Sequence, residues 1–312
     1  MRLCLAGTFP SEKIVRKNRP EYVLESFFYI KPWQVEEMPK WKMFLLDSGA
    51  FTFMHGVEAS SKPVDWDGYL SRYIDFINRH DVQHFFELDV DIIVGYDAVK
   101  RMRARLEAET GKQSIPVWHR SRGLDEFKNL CRDYPYIGIG GFAIKHIQPS
   151  EYGYIKRLVQ YANACGVRVH GLGYTKKDAV DFGFYSVDST TWTTQVNFGG
   201  LSYFNGSEMV VVRPPKGMIG ADYRIRREYA LKEWIKYQKY LDPECGRLYC
   251  IHVQLGRRTF RTQQPEKVHQ RFPAALVQFG AAGCTGNRQG RYLRGEYRKN
   301  SQGVPECSRS DS

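Results

Sequence analysis

The stretch "FLLDSGAFTF", residues 44–53, ends a hydrophobic run in an aspartate, a serine and two small residues. A strand apolar enough for burial that stops at Asp47 puts a carboxylate where it must meet water, find a partner or take part in chemistry, because an isolated charge in an apolar setting is costly. The same pattern recurs along the chain. Short runs rich in Val, Ile, Leu and Phe alternate with longer polar segments of helical spacing, as expected of strands alternating with helices. The strand candidates are "RLCLAG" (2–7), "KMFLLDSG" (42–49), "HFFELDVD" (84–91), "IPVWH" (115–119), "YIGIGG" (136–141), "VRVHGLG" (167–173), "FYSVDS" (184–189) and "EMVVVR" (208–213).

Between them, "WDGYLSRYIDFINRH" places Tyr69, Tyr73, Phe76 and Ile77 on one helical face. "DAVKRMRARLEAE", "LDEFKNLCRDY" and "SEYGYIKRLVQYANAC" behave alike, and "REYALKEWIKYQKYL" (228–241) is a further helix. This alternation suits an α/β chain folded as a (β/α)8 TIM barrel over residues 1–242, whose active site lies at the C-terminal ends of the strands. An open doubly wound sheet is the structural alternative. The pattern fades from about residue 243, so residues 243–283 read as a divergent C-terminal extension and 284–312, rich in Gly, Ser and Arg, as a basic, flexible tail.

The chain has 312 residues, 42% of them hydrophobic and 14% aromatic, enough for a substantial core. Forty-six Lys and Arg against 34 Asp and Glu give a net charge of +12, which favours an anionic partner such as nucleic acid. Seven scattered cysteines, and an opening "MRLCLAGTFP" broken at Pro10, point to a reducing cytoplasm without a signal peptide. No apolar run approaches the roughly 20 residues needed to span a bilayer.

On the barrel reading, Asp47, Asp89 and Asp188 stand where the second, third and seventh strand candidates stop, and converge on one mouth. Each alone reads better as a cap or turn residue; three at one end favour a function. Gly138, Gly140 and Gly141 would let a flat ligand approach the backbone, and "VHGLGYT" repeats the feature one strand later. "GIGGFA" also matches the dinucleotide fingerprint G-x-G-x-x-A, but no helix opens there and no acid follows about 20 residues on.

Four segments together resemble the tRNA-guanine transglycosylase superfamily. "DSGAFT" is similar to its D-S-G-G-[FY]-Q motif, "IGIGGFA" to its G-G-L-A segment, "HGLGYT" to its L-M-G-V-G segment, and "VDSTTWT" stands where its nucleophile strand carries F-D-x-V-x-P-T. The compact length is closer to the relatives in phages and bacterial DNA-modification clusters that insert 7-deazaguanine bases into DNA. The resemblance implies a pentosyltransferase that exchanges guanine for a 7-deazaguanine without a required cofactor, its partners being DNA, or tRNA, and the free base. It implies Asp188 as the nucleophile on C1′, Asp47 as the proton shuttle, and Asp89 with Gly140 and Gly141 as base contacts, beside Ser48 and Phe51 of the first motif. A base buried in a duplex must be flipped out to react, and Phe51, Tyr174 and Trp192 are candidate stacking partners.

This chain departs from the family pattern at Ala50, at Thr52 and at "PVWHRS", where His119 stands in place of a base-reading Gln. His119 either takes over that contact or is a satisfied histidine. The family's zinc motif is absent; Cys245, Cys250, His252 and Cys284 have a loose spacing for a structural zinc ion. Phosphate contacts are expected from "KRMRAR" (100–105), from "RIRREY" with Arg224, Arg226 and Arg227, and from "GRRTFR" with Arg257 and Arg258. The competing functions are the same exchange on tRNA, a non-catalytic nucleic-acid-binding barrel, and a glycoside hydrolase with paired carboxylates.

Overall fold

Strands and helices alternate from the first residues. In chain order the elements are β1 (Arg2–Ala6), α1 (Glu12–Asn18), β2 (Tyr22–Ser26), α2 (Pro32–Glu37), β3 (Met43–Asp47), α3 (Ala50–His55), α4 (Trp66–Arg79), α5 (Asp91–Val94), α6 (Tyr96–Thr110) and β4 (Val117–Trp118). There follow α7 (Gly123–Asp133), β5 (Tyr136–Ile139), α8 (Tyr152–Ala164), β6 (Arg168–Gly171), α9 (Ala179–Phe182), β7 (Ser186–Ser189), α10 (Thr191–Asn197), β8 (Leu201–Phe204), β9 (Met209–Val212) and α11 (Tyr223–Leu241). The structure is a computed structural model that describes residues 1–55, 64–175, 179–213 and 222–242, all within one compact unit, Met1–Glu266. The expected extension and tail, with Cys245, Cys250, His252, Arg257, Arg258 and Cys284, lie outside the described residues, as does the side chain of Phe51.

Seven strands form one curled, wholly parallel sheet in the order β3-β2-β1-β7-β6-β5-β4, a half-barrel in an α/β fold. Its two edges are not left bare. Segment 85–86 bridges both, since Leu46 of β3 pairs in parallel with Phe85, and Phe86 pairs in parallel with Ile115 just before β4. Tyr73 of α4 pins this junction, its hydroxyl lying 3.2 Å from the Leu46 carbonyl and 3.0 Å from that of Phe86.

The strand expectations need correction in three places, the first being 84–91, expected as the third barrel strand, which makes only single bridges at Phe85 and Phe86. Residues 22–26 form β2, an interior strand between β3 and β1, although "YVLES" did not stand out as a strand in the sequence. Residues 208–213, expected as the eighth barrel strand, instead supply β9, which pairs antiparallel with β8 in a separate hairpin. Burial accounts for the difference. Parallel strands covered on both faces are buried throughout, as β5 is, whereas β9 has no fully buried residue. A β-branched run such as "MVVV" fits either setting.

Side chains on the sheet alternate between two packed layers. Cys4, Ala6, Tyr22, Leu24, Met43, Leu45, Phe86, Val117 and Tyr136 form the cluster inside the curl. Their neighbours Leu3, Leu5, Val23, Ile137, Ile139, Val169 and Val187 pack outward against helices. Each fully buried Leu or Phe contributes about 1.5–3 kcal/mol, so both layers stabilise the curl. Helix α4 starts at Asp65, whose carboxylate accepts from the Gly68 amide at 2.9 Å, and buries Tyr69, Leu70, Tyr73, Ile74 and Ile77. At the other end of the chain, α11 closes the N-terminal ends of the strands. Gln238 donates to the carbonyls of Leu3 (2.7 Å) and Tyr22 (2.8 Å). With that end occupied, the acids are left at the opposite one.

Candidate active site

The inner register of the curled sheet selects what faces its mouth. In β3 the inner residues Met43 and Leu45 are followed by Asp47; in β7 Ser186 is followed by Asp188, paired with inner Cys4 of β1. In β6 the equivalent inner residue is His170, which pairs with Ser186. Sequence spacing of two thus carries an apolar interior into a polar rim.

Asp47 is an acid of the rim whose titration the fold displaces. Burial raises its carboxyl to about 6; the Gly49 amide opposes this, and the nearby charges of Asp188 and Asp89 push it further up. Asp188 and Asp89 are thus near enough to Asp47 for their charges to act on it. The Gly49 amide donates to Asp47 Oδ2 at 3.0 Å, across a turn in which Gly49 has φ +82°. A Cβ there would lie 2.8 Å from Phe28 Cβ and 2.9 Å from the Tyr69 hydroxyl, which makes glycine necessary at this position. Ala50 opens α3 and is buried without conflict, so the departure from a second glycine is tolerated. Ser48 is buried beside Asp47, and its Oγ has no hydrogen-bond partner among the described residues.

Asp89 belongs to a different kind of arrangement. Its Oδ2 lies 2.6 Å from His119 Nε2 and its Oδ1 accepts from Arg122 Nη2 at 2.9 Å. Arg122, almost fully buried, also reaches Glu87 at 2.9 Å and Asp91 at 3.1 Å, and its guanidinium stacks 4.2 Å from the Tyr96 ring centre. Glu87 is tied in turn to Arg103 at 3.1 Å and to the Val117 amide at 2.9 Å. Burial disfavours charge on His119, but Asp89 outweighs it and the imidazole titrates above its ordinary value. His119 is therefore a satisfied partner of Asp89 in this state.

Asp188 is held by two donors on one oxygen. The Gly173 amide donates to Oδ1 at 2.6 Å, and His170 Nε2 lies 3.2 Å from the same atom. Oδ2 has no hydrogen-bond partner among the described residues. Cys4, opposite Asp188 in the ladder, has its thiol pushed well up by burial and then by the Asp188 charge, so it stays protonated.

Several expected residues are placed elsewhere or used differently. Trp192 is fully buried and donates to the Ala6 carbonyl at 2.8 Å, and Tyr174 packs among Phe142, Phe182 and Phe184. Neither is open to stack a base. Arg227 is also buried, 5.6 Å from the Trp192 ring centre and donating to the Tyr223 hydroxyl, so it braces α11 rather than offering itself to phosphate. Arg224 is exposed and Arg226 half-buried, with a bond to the Val196 carbonyl. In "KRMRAR", Arg103 and Arg105 are engaged with Glu87 and with Asp67 and Glu109.

The glycines after β5 also serve a different purpose from the one expected. A Cβ on Gly140 would stand 2.4 Å from His119 Cε1, and one on Gly138 would stand 2.8 Å from Leu172 Cδ1. These glycines make room for side chains of the protein itself. Gly141 has φ +99°, which is a turn requirement. Sequence reasoning did not single out His170, Arg122 or Glu87; a histidine inside the apolar run "VRVHG" was the one available signal.

Among the described residues, Asp89, Asp91 and His119 form the one group whose ligand atoms, all within 4.8 Å of one another, could converge on a metal ion. Arg122 already donates to both carboxylates, so the site's negative charge is met by the protein. The chain matches no family model and no curated protein.

Proposed function

We propose that the chain is a transglycosylase of the tRNA-guanine transglycosylase kind, built on a (β/α)8 barrel, which replaces guanine in DNA with a 7-deazaguanine. The barrel reading rests on the seven parallel strands together with segment 85–86, which pairs with both edges. The observation that carries the functional reading is the electrostatic proximity of Asp47, Asp89 and Asp188 at one mouth, with Asp47 titrating at about 6.

Two carboxyl groups with different tasks are what base exchange needs. Asp188 Oδ2, without a donor among the described residues, attacks C1′ of the flipped nucleotide; the C1′–N9 bond breaks and its electrons leave with the base. Asp47, able to hold a proton near neutrality, delivers it to the departing guanine. The incoming base then attacks C1′, the bond to Asp188 breaks, and Asp47 takes the released proton. Two inversions retain the sugar configuration. Asp89, held by Arg122 and His119, presents an acceptor to the guanine-like edge. The net charge of +12 supports a polynucleotide substrate.

The test is nucleoside mass spectrometry of DNA and tRNA from cells that express the protein and are supplied with deazaguanine precursors. Modified DNA is expected. Modified tRNA beside unmodified DNA would reassign the substrate, and normal turnover in Asp188→Asn would remove the assigned nucleophile.

A further inference from the structure

Behind Asp188 lies a buried polar chain with no role in the reading above. His170 is fully buried under the Phe86 ring, 5.3 Å away. Its Nδ1 lies 2.6 Å from Ser186 Oγ, and that oxygen lies 2.5 Å from the Tyr136 hydroxyl. Its Nε2 faces Asp188 Oδ1 at 3.2 Å. Three strands supply these groups, since Tyr136, His170 and Ser186 sit in β5, β6 and β7.

The direction of this chain can be worked out from donor counts. An ionised carboxylate only accepts, so the proton between His170 and Asp188 belongs to Nε2. A neutral imidazole then has a bare Nδ1, which must accept, and Ser186 supplies the O–H. Tyr136 keeps its proton because burial raises its phenol well above the ordinary value, and it donates to Ser186. Every polar atom in the series is satisfied in one arrangement, Tyr136 to Ser186 to His170 to Asp188. The opposite imidazole tautomer would leave a bare Nε2 facing the carboxylate, an acceptor against an acceptor in a buried setting, which is costly.

We infer that His170 is a positioning residue, locked as the Nε2–H tautomer by Tyr136 and Ser186, which with the Gly173 amide holds Asp188 Oδ1 and so presents Oδ2 to the sugar. This rests on Asp188 being the nucleophile. With the carboxylate swivel fixed from two sides, the attacking atom is aimed before substrate arrives, and such orientation acts on the chemical step rather than on binding.

The test combines spectroscopy with kinetics. Long-range proton–nitrogen NMR on the full-length protein labelled with 15N-histidine should find His170 protonated on Nε2 and bare on Nδ1, and Ser186→Ala should mix the two tautomers. In exchange assays with labelled guanine and duplex DNA, His170→Leu should lower kcat about 10- to 100-fold with KM within about 2-fold, the pattern of a lost transition-state interaction. His170→Gln, which can still offer an N–H to Asp188, should recover most of that loss. A proton on Nδ1 in the wild type would overturn the inference, as would full kcat in a folded His170→Leu variant. If the wild type exchanges no base, the functional reading falls while the tautomer measurement still decides the His170–Asp188 contact.

Discussion

Replacing Asp47 by Asn removes a charge that the fold holds at a cost. The carboxyl titrates at about 6 in the folded chain against an ordinary 3.8, so the folded state favours the protonated form. With the folded value the higher of the two, this group destabilises nothing below about pH 4. Its penalty grows as pH rises from about 4 to about 6 and is complete above that. At about 1.4 kcal/mol per pH unit the full penalty is about 3 kcal/mol, with about half of it present at pH 5. Asp47 keeps some contact with solvent, so about 3 kcal/mol is an upper figure. Asn preserves the acceptor for the Gly49 amide. Urea unfolding of wild type and Asp47→Asn at intervals from pH 4 to pH 8 should therefore show curves that meet near pH 4 and separate by up to about 3 kcal/mol at pH 7, the variant being the more stable. The same variant should lose base exchange, a gain in stability obtained by disabling a strained site. Parallel curves across the range would refute the reasoning, because Asp47 would then carry no raised affinity for a proton.

Other perturbations follow from the Asp89 side of the mouth. Gly140→Ala places a methyl 2.4 Å from His119 Cε1 and should cost about 1–3 kcal/mol. Much of that cost should vanish when His119→Ala is already present; additive effects in a double-mutant cycle would deny the contact. Arg122→Ala takes the guanidinium from Asp91 and leaves Glu87 with Arg103 and Asp89 with His119 as their remaining cationic partners, and should destabilise the chain by about 3 kcal/mol in denaturant unfolding. Arg122→Lys should recover little, because one ammonium cannot span three carboxylates as the planar fork does. Glu25, buried with its carboxyl raised to about 7, is stabilising only when protonated. Glu25→Gln should flatten the loss of stability between about pH 5 and pH 8, as read by thermal melts over that interval.

The limits of sequence reading are clearest in β2 and β9. "YVLES" carries a glutamate and a serine, so its apolar run is short; yet Val23 and Leu24 are buried on opposite faces of the sheet, and Glu25 is buried against Thr8. "MVVV" has a stronger strand signal and lies outside the sheet. Hydrophobic patterning reports that a segment can be buried; it does not report which neighbour will cover it.

Sequence alone determined the α/β alternation and the acids that stand at strand ends, because a period of two and an apolar run broken by a charge are local properties legible along one dimension. Tertiary structure alone decided which side chains those acids meet. Arg122 reaches Glu87 from 35 residues away, His170 reaches Asp188 from 18, and Trp192 spends its indole on Ala6 across 186. Hydrogen bonds and charge pairs act over a few ångströms of space whatever the separation in chain. Their partners are therefore chosen by the curl of the sheet and not by the spacing of the letters.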